Sequence, residues 1–167
     1  GGTRIAYAVT TDTTVSAAVE VARRFGLVDT FLDGRIDHRM APGLSGYMIV
    51  GGAPDASFRP KLVVGGGGAA RLYQQPGLVS AAVLTVDGNC ADYLNGPVKT
   101  ISPGMEQYLI DGRLWITARW INTYDENNRH LQGYLVRSEL MQRDETRIFF
   151  GYSDATETSE GLNIATQ

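Results

Sequence analysis

The residues of this chain that are able to do acid–base or nucleophilic chemistry are few. His38 and His130 are the only histidines. Ser45 follows His38 across the segment Met40–Gly43, so a serine–histidine pair is conceivable. Hydrolysis by such a pair needs an acid as well, with the base within hydrogen-bond reach of the hydroxyl. Any hairpin with a serine and a histidine offers this pairing, so the sequence predicts no catalytic residue, and His130 is expected in a solvated polar turn.

Four consecutive glycines, Gly65–Gly68, are the second feature that suggests chemistry. A phosphate-binding loop would follow a strand, open a helix, and be followed by a Lys and a Ser or Thr. Here Ala69–Tyr73 follows instead, and its pattern continues a strand. We therefore expect no nucleotide cofactor, and we interpret the glycines as a bend or as a place where a facing surface admits no side chain.

Two carboxylates at alternate positions, Asp33 and Asp37, raise the question of a metal ion. Arg35 lies between them, and alternate residues of a strand share one face. This arrangement predicts a ladder of ion pairs rather than a calcium site. The single cysteine, Cys90, excludes an internal disulfide framework and offers no metal cluster.

The charge composition limits the classes of partner. A net charge of −3 argues against a nucleic-acid partner, which binds through neutralisation of phosphates. The cations are 13 Arg and 2 Lys. Either Arg is preferred because its planar guanidinium group forms ion pairs with carboxylates in crowded places, or the excess of Arg over Lys reflects the base composition of the genome. Arg113, Trp115 and Arg119 are candidates for contact with a glycan through hydrogen bonds and ring stacking, although a structural network explains them equally well.

The elements that must position these residues are β-strands. Apolar and polar or small residues alternate with period 2 along most of the chain, and only Val15–Phe25 also tolerates a helix. Turn signals separate the runs, among them Asp12–Thr14, Ala41–Gly43 and Asp87–Asn89. Short links predict an antiparallel up-and-down meander in one domain, 1–167. The expected strands are 3–11, 15–24, 28–38, 44–52, 60–73, 77–88, 97–109, 113–124, 131–142 and 146–154, with a possible eleventh from Gly161.

The two faces of these strands differ in chemistry. Strands of 9–13 residues suit a tilted crossing of a bilayer, in which the apolar face meets lipid and the polar face lines the interior. The apolar set is Leu32, Ile36, Val64, Leu84, Leu114, Ile116, Ile148 and Phe150. The polar set is Glu20, Arg24, Asp33, Arg35, Asp37, Arg71, Arg113, Arg119, Arg137, Glu139 and Arg147. A soluble β-sandwich or barrel that binds carbohydrate or protein gives the same pattern if the polar face is the solvated one.

A family resemblance favours the membrane alternative. Arg23–Gly26, Phe58–Gly67, Ser102–Leu109, Gly112–Arg119 and Gly151–Thr158 resemble, in order and spacing, the YaiO-type outer-membrane β-barrels. The matches span roughly residues 15–161. The resemblance implies a location in the outer membrane of Gram-negative bacteria, with lipid and lipopolysaccharide as surroundings. It also implies an association with exopolysaccharide and with its synthesis or export proteins.

The sequence-based hypothesis is therefore a non-catalytic, cofactor-free outer-membrane barrel that serves the export, retention or docking of an envelope glycan. A lipid-A-modifying barrel enzyme is a weaker alternative, because it needs the Ser–His–acid geometry described above. The family would continue past Gln167 and end in an aromatic-terminated strand. Single-chain bacterial barrels have an even number of strands, so we expect these residues to belong to a barrel of about twelve.

Overall fold

The computed structural model describes residues 1–24, 26–143 and 146–155. They form one antiparallel sheet of ten strands, in which each strand pairs with its neighbours in sequence. The predicted all-β up-and-down meander is confirmed, and Val15–Arg24 is a strand rather than a helix. The strands are β1 (Gly2–Ala8), β2 (Thr13–Arg24), β3 (Leu27–Ala41), β4 (Leu44–Gly52), β5 (Leu62–Gln74), β6 (Val79–Tyr93), β7 (Gly96–Leu109), β8 (Leu114–Tyr124), β9 (His130–Arg143) and β10 (Thr146–Ala155).

Several boundaries predicted from the sequence are wrong: the first strand ends at Ala8 rather than at residue 11, and the third continues to Ala41 rather than ending at residue 38. Asp87–Asn89 is not a turn, because it lies within β6, which continues to Tyr93. The chain reverses instead at Leu94-Asn95 and enters β7 at Gly96, whose φ of 133° few other residues adopt. Arg113, which was expected to begin a strand, lies in the turn before β8. The possible strand from Gly161 lies outside the described residues.

The strand register defines two faces. Val15 pairs with Ile36, Ile36 with Met48, and Met48 with Gly66, so one row of side chains lies on the same side of four strands. We name this side the apolar face and the opposite side the polar face. All eight predicted apolar residues lie on the apolar face, and the predicted polar residues that belong to strands lie on the polar face.

The apolar side chains are not gathered into a core. Among the described residues, the buried hydrophobic ones are three alanines, Ala53, Ala82 and Ala91. Large side chains of the apolar face are widely exposed, for example Met48 at 66% and Val50 at 53%. Within the described part of the chain, the apolar face therefore has no protein layer packed against it.

The two ends and the two edges of the sheet complete the frame. The connections after even-numbered strands lie at one end, which we name the loop end because it includes residues 53–61 and 125–129. The connections after odd-numbered strands lie at the other, the turn end. The sheet is not closed: within residues 1–24, 26–143 and 146–155, β1 pairs with β2 alone and β10 with β9 alone. No helix of the length and apolarity needed to span a membrane occurs in these ranges.

Candidate functional site on the polar face

The centre of the polar face is a hydrogen-bonded group on β4, β6 and β8. Tyr47 Oη donates to Asp87 Oδ1 at 2.6 Å, and Arg119 Nη1 lies 3.1 Å from Asp87 Oδ2. The register explains the first contact, since Tyr47 pairs with Gly67 of β5, and Gly67 pairs with Asp87. The tyrosine side chain therefore crosses a whole strand to reach its partner.

Glycines on the intervening strands make these crossings possible. A Cβ atom added to Gly67 would lie 2.5 Å from Asp87 Oδ1 and 2.7 Å from Tyr47 Cε1. Gly104 of β7 has the same role below Arg119, because a Cβ there would lie 2.9 Å from Arg119 Cγ and 2.9 Å from Thr85 Oγ1. The sequence predicts that the four glycines lie in a strand at a place that admits no side chain. Gly67 does lie at such a place, and neighbouring polar groups fill the space above it.

A second ion pair packs against this group. Arg35 donates from Nε and Nη2 to the carboxylate of Asp37, with the shortest contact 2.6 Å. The Arg35 guanidinium carbon also lies 3.8 Å from the centroid of the Tyr47 ring, which is within the range of a cation–π interaction. The side chains of Arg35, Tyr47, Asp87 and Arg119 thus form a continuous polar group, which we name the central cluster.

The central cluster lines a cavity of about 380 Å³ on the polar face, near the turn end. A second cavity of about 760 Å³ shares Asp12, Arg39, Ser45 and Ala69 with it. Asp12 and Arg39 form a looser ion pair, with 3.8 Å between Oδ1 and Nη1. Both cavities open on the side of the sheet that carries the charged residues.

Other predicted members of the polar set form separate pairs. Arg4 of β1 crosses Ala18 to reach Asp33 Oδ1 at 3.1 Å, so Asp33 does not join the ladder expected with Arg35 and Asp37. Arg137 Nε lies 3.0 Å from Glu139 Oε1. Three further members are placed as follows: Glu20 binds the guanidinium of Arg59, Arg71 donates to Gln74, and Arg147 lies on the polar face of β10.

The three candidate glycan contacts are not brought together. Trp115 lies on the polar face of β8 and stacks on Tyr108, with ring centroids 6.3 Å apart. Arg119 belongs to the central cluster, and Arg113 is in the turn after β7. The structure therefore divides this predicted group between separate places.

Among the described residues, neither histidine forms a hydrogen bond with the other or with a serine. His38 pairs in register with Gly46 and Ser45 with Arg39, so His38 and Ser45 lie on opposite faces. His38 Nδ1 lies 2.9 Å from Thr13 Oγ1 instead. His130 is exposed, as expected, but it begins β9 rather than lying in the turn. Its ring stacks on Tyr124 at 4.8 Å, and its Nε2 lies 3.1 Å from Asn122 Oδ1.

The loop between β4 and β5 folds back onto β3. The carboxylate of Asp29, which is fully buried, accepts hydrogen bonds from the backbone N–H groups of Ser57, Phe58 and Arg59 at 2.8–3.0 Å. The Arg59 guanidinium lies 5.5 Å from the centroid of Phe31 on the same face. One side chain of β3 thus fixes the path of this loop over the polar face.

The loop between β8 and β9 is organised by another buried carboxylate. Asp125 accepts hydrogen bonds from the backbone N–H groups of Asn127 (3.0 Å) and Arg129 (2.8 Å) and from Arg129 Nε (2.7 Å). Burial raises the pKa of Asp125, but these hydrogen bonds lower it by more. Its pKa therefore lies below the ordinary value of 3.8.

Several residues of the site were not predicted from the sequence. Tyr47 and Asp87 were missed, the latter because its neighbours Gly88 and Asn89 suggested a turn. Arg4 was placed in a strand but not assigned a partner. Alternation was the available signal, since each of these residues has the opposite parity to the apolar residues of its strand, such as Ile5 on β1, Met48 on β4 and Leu84 on β6. Among the described residues, no group of three or more His, Cys, Asp or Glu is arranged to hold a metal ion.

Comparisons with family models, with curated proteins and with solved structures found no match to this chain. The resemblance to the YaiO-type family therefore stays a prediction from the sequence.

Proposed function

We propose that this protein is part of a non-catalytic outer-membrane β-barrel of Gram-negative bacteria, which serves the export, retention or docking of an envelope glycan. The observation that supports it most is the exposed apolar face described above. A soluble sheet hides its apolar face in a core, whereas a membrane barrel turns it to lipid and places polar groups inside. A sheet whose apolar face is uncovered matches the second arrangement.

The charges on the apolar face support the same proposal. In the described strands, the register places only four Asp, Glu, Lys or Arg residues on this face: Arg23, Asp92, Lys99 and Asp154. All four lie near the loop end, where a strand would leave the hydrocarbon. Charges at a bilayer midplane cost about 2–4 kcal/mol, and those at its border cost little.

Aromatic residues lie at the same end. Trp120 of β8 pairs with Tyr134 of β9, and the rings of Tyr134 and Tyr152 are 6.2 Å apart. Tyr124 also lies on the apolar face of β8, two residues after Asn122 and closer to the loop end. Trp and Tyr rings concentrate at membrane–water interfaces, where one part of the ring is in lipid and the other in water. These rings therefore fit one interfacial belt of a barrel.

Closure of such a barrel needs more than the ten described strands, or a rearrangement of their edges. Backbone groups inside a bilayer have no water to bind, so a free strand edge is costly there. We propose that further strands pair with β1 and β10 and bring the total to about twelve, an even number. These strands would come from other segments of the protein or from other chains of an assembly.

The glycan part of the proposal is supported by the resemblance and by the polar face, which is rich in guanidinium, carboxylate and hydroxyl groups. The class of protein is tested by gel migration with and without boiling, after folding into detergent or lipid vesicles. A folded membrane barrel keeps its structure in detergent until it is heated, so we expect two bands that differ in mobility. A single mobility, together with a protein that stays soluble and folded in water without detergent, would contradict the proposal.

A further inference from the structure

The smaller cavity of the polar face has a chemical character of its own. Its charged lining comprises three carboxylates and three guanidinium groups: Asp12, Asp37 and Asp87 with Arg35, Arg39 and Arg119. Each guanidinium has a carboxylate partner, at 2.6 Å for Arg35, 3.1 Å for Arg119 and 3.8 Å for Arg39. The six groups balance, so an anion or a cation entering the cavity would have to compete with an existing ion pair.

A hydroxyl group does not face that competition. It donates to a carboxylate and accepts from a guanidinium at the same time, and paired carboxylates and guanidinium groups keep unused acceptor and donor positions. Thr11, Thr14 and Ser45, whose side chains carry hydroxyl groups, also line the cavity. A neutral ligand with several hydroxyl groups is therefore the chemistry that matches this lining.

Ser45 adds a hydroxyl group that a ligand can reach. Its side chain is exposed and lines both cavities. The Oγ1 atom of Thr85, by contrast, has no hydrogen-bond partner in the protein but is buried, so a ligand in the cavity does not contact it.

The size of the space limits the ligand further. A volume of about 380 Å³ lies at the lower end of the range for small-molecule sites. The neighbouring cavity of about 760 Å³ shares four lining residues with it, so an elongated ligand has room to continue. We propose that the two cavities together bind a neutral saccharide of at least two sugar rings, with Ser45, Asp37 and Arg119 as contacts in the smaller one. This inference deepens the proposed function and rests on its glycan-handling part.

The test uses the full chain folded in detergent and saturation-transfer NMR with three neutral disaccharides: maltose, cellobiose and lactose. We expect at least one of them to bind, and glucuronate, an anionic probe, to bind more weakly. Ser45→Ala, which removes one exposed hydroxyl group, should weaken binding by about fivefold, the effect of one hydrogen bond.

Thr117→Val, which also removes one hydroxyl group, is the control, since Thr117 lies on the polar face of β8 outside both cavities. It should leave binding unchanged. Stronger binding of glucuronate, no binding of any neutral disaccharide to the folded protein, or equal effects of Ser45→Ala and Thr117→Val would each overturn the inference. Heat-dependent gel migration of the same samples reports separately on the barrel, so loss of saccharide binding and failure of the membrane assignment are distinguishable.

Discussion

At the scale of single residues, the polar face depends on positions where a side chain is missing. Tyr47 and Asp87 meet over Gly67, and Arg119 reaches Asp87 over Gly104. In a sheet, side chains on next-but-one strands are too far apart to touch unless the residue between them is small. Glycine in a strand, which is ordinarily unfavourable, is here what allows a polar network to extend across five strands.

Gly67→Ala should therefore destabilise the protein by about 1–3 kcal/mol, the usual cost of inserting a methyl group where none fits. The new Cβ would meet Asp87 Oδ1, Val86 O and Tyr47 Cε1, all within 2.7 Å. Urea unfolding in detergent measures the change. Gly34→Ala is the control, since a Cβ at Gly34 has no atom within 4 Å, and equal destabilisation by both variants would refute the explanation.

Asp125 provides a prediction of pH dependence. Its pKa is lower in the folded protein than the value of 3.8 in the unfolded chain, so its stabilising effect is present above that value and is lost as the pH falls through the folded pKa. Asp125→Asn should speed amide exchange of Asn127 and Arg129 at neutral pH. The difference between variant and wild type should shrink below pH 4, and a difference that persists unchanged at acid pH would exclude the carboxylate as its cause.

At the scale of elements, the β4–β5 loop is attached to the sheet by one side chain. Asp29 accepts three backbone N–H groups from residues 57–59 and is fully buried. Asp29→Asn replaces one carboxylate oxygen, which accepts hydrogen bonds, by an amide NH₂ group, which donates them. That group would face the backbone N–H groups of the loop, which are also donors. We expect faster hydrogen exchange at Ser57, Phe58 and Arg59, while Asp55→Asn, at an exposed position of the same loop, should have no effect. Equal exchange in the two variants would disprove this role.

The difference between the two faces of a strand leads to a second prediction at the scale of elements. Ile116 lies on the apolar face and Asn89 on the polar face. Ile116→Arg should impair folding into lipid by about 2–4 kcal/mol if it lies near the midplane, because a charge would enter hydrocarbon. Asn89→Arg places the same charge near Asp87 and should cost much less. Folding titrations in lipid vesicles measure both, and equal costs would argue against lipid contact.

Most of the strands could be predicted from period-2 alternation because register and face follow directly from it. The ends of the strands were harder to predict where the local composition and the tertiary contacts disagree. Asp87-Gly88-Asn89 has the composition of a turn, yet Asp87 is held within β6 by Tyr47 and Arg119, residues 40 and 32 positions away. Contacts of such separation leave no local signal, so the central cluster could not be derived from the sequence.

The candidate site shows the same limit. The polar face was predicted as a set, but its division into pairs was not, since Asp33 binds Arg4 while Asp37 binds Arg35. Alternation places residues on a face, whereas partner choice depends on side-chain reach over small residues such as Ala18 and Gly67. The three predicted glycan contacts, Arg113, Trp115 and Arg119, are not brought together for this reason. Positions on one face of a strand lie two residues apart, and their side chains contact different neighbours.

At the scale of the whole molecule, the central claim is that the apolar face lies in lipid. The chain contains two tryptophans, and they report on opposite faces: Trp120 on the apolar face, 52% exposed, and Trp115 on the polar face, stacked on Tyr108. Replacing each in turn by Phe leaves a single fluorophore on a known side of the sheet.

The decisive measurement is quenching of these two single-tryptophan proteins in vesicles of brominated lipid and, separately, by acrylamide in water. The structure predicts that bromine quenches Trp120 strongly and Trp115 weakly. Weak quenching of both by brominated lipid, with Trp120 instead the more accessible to acrylamide, would contradict the membrane assignment.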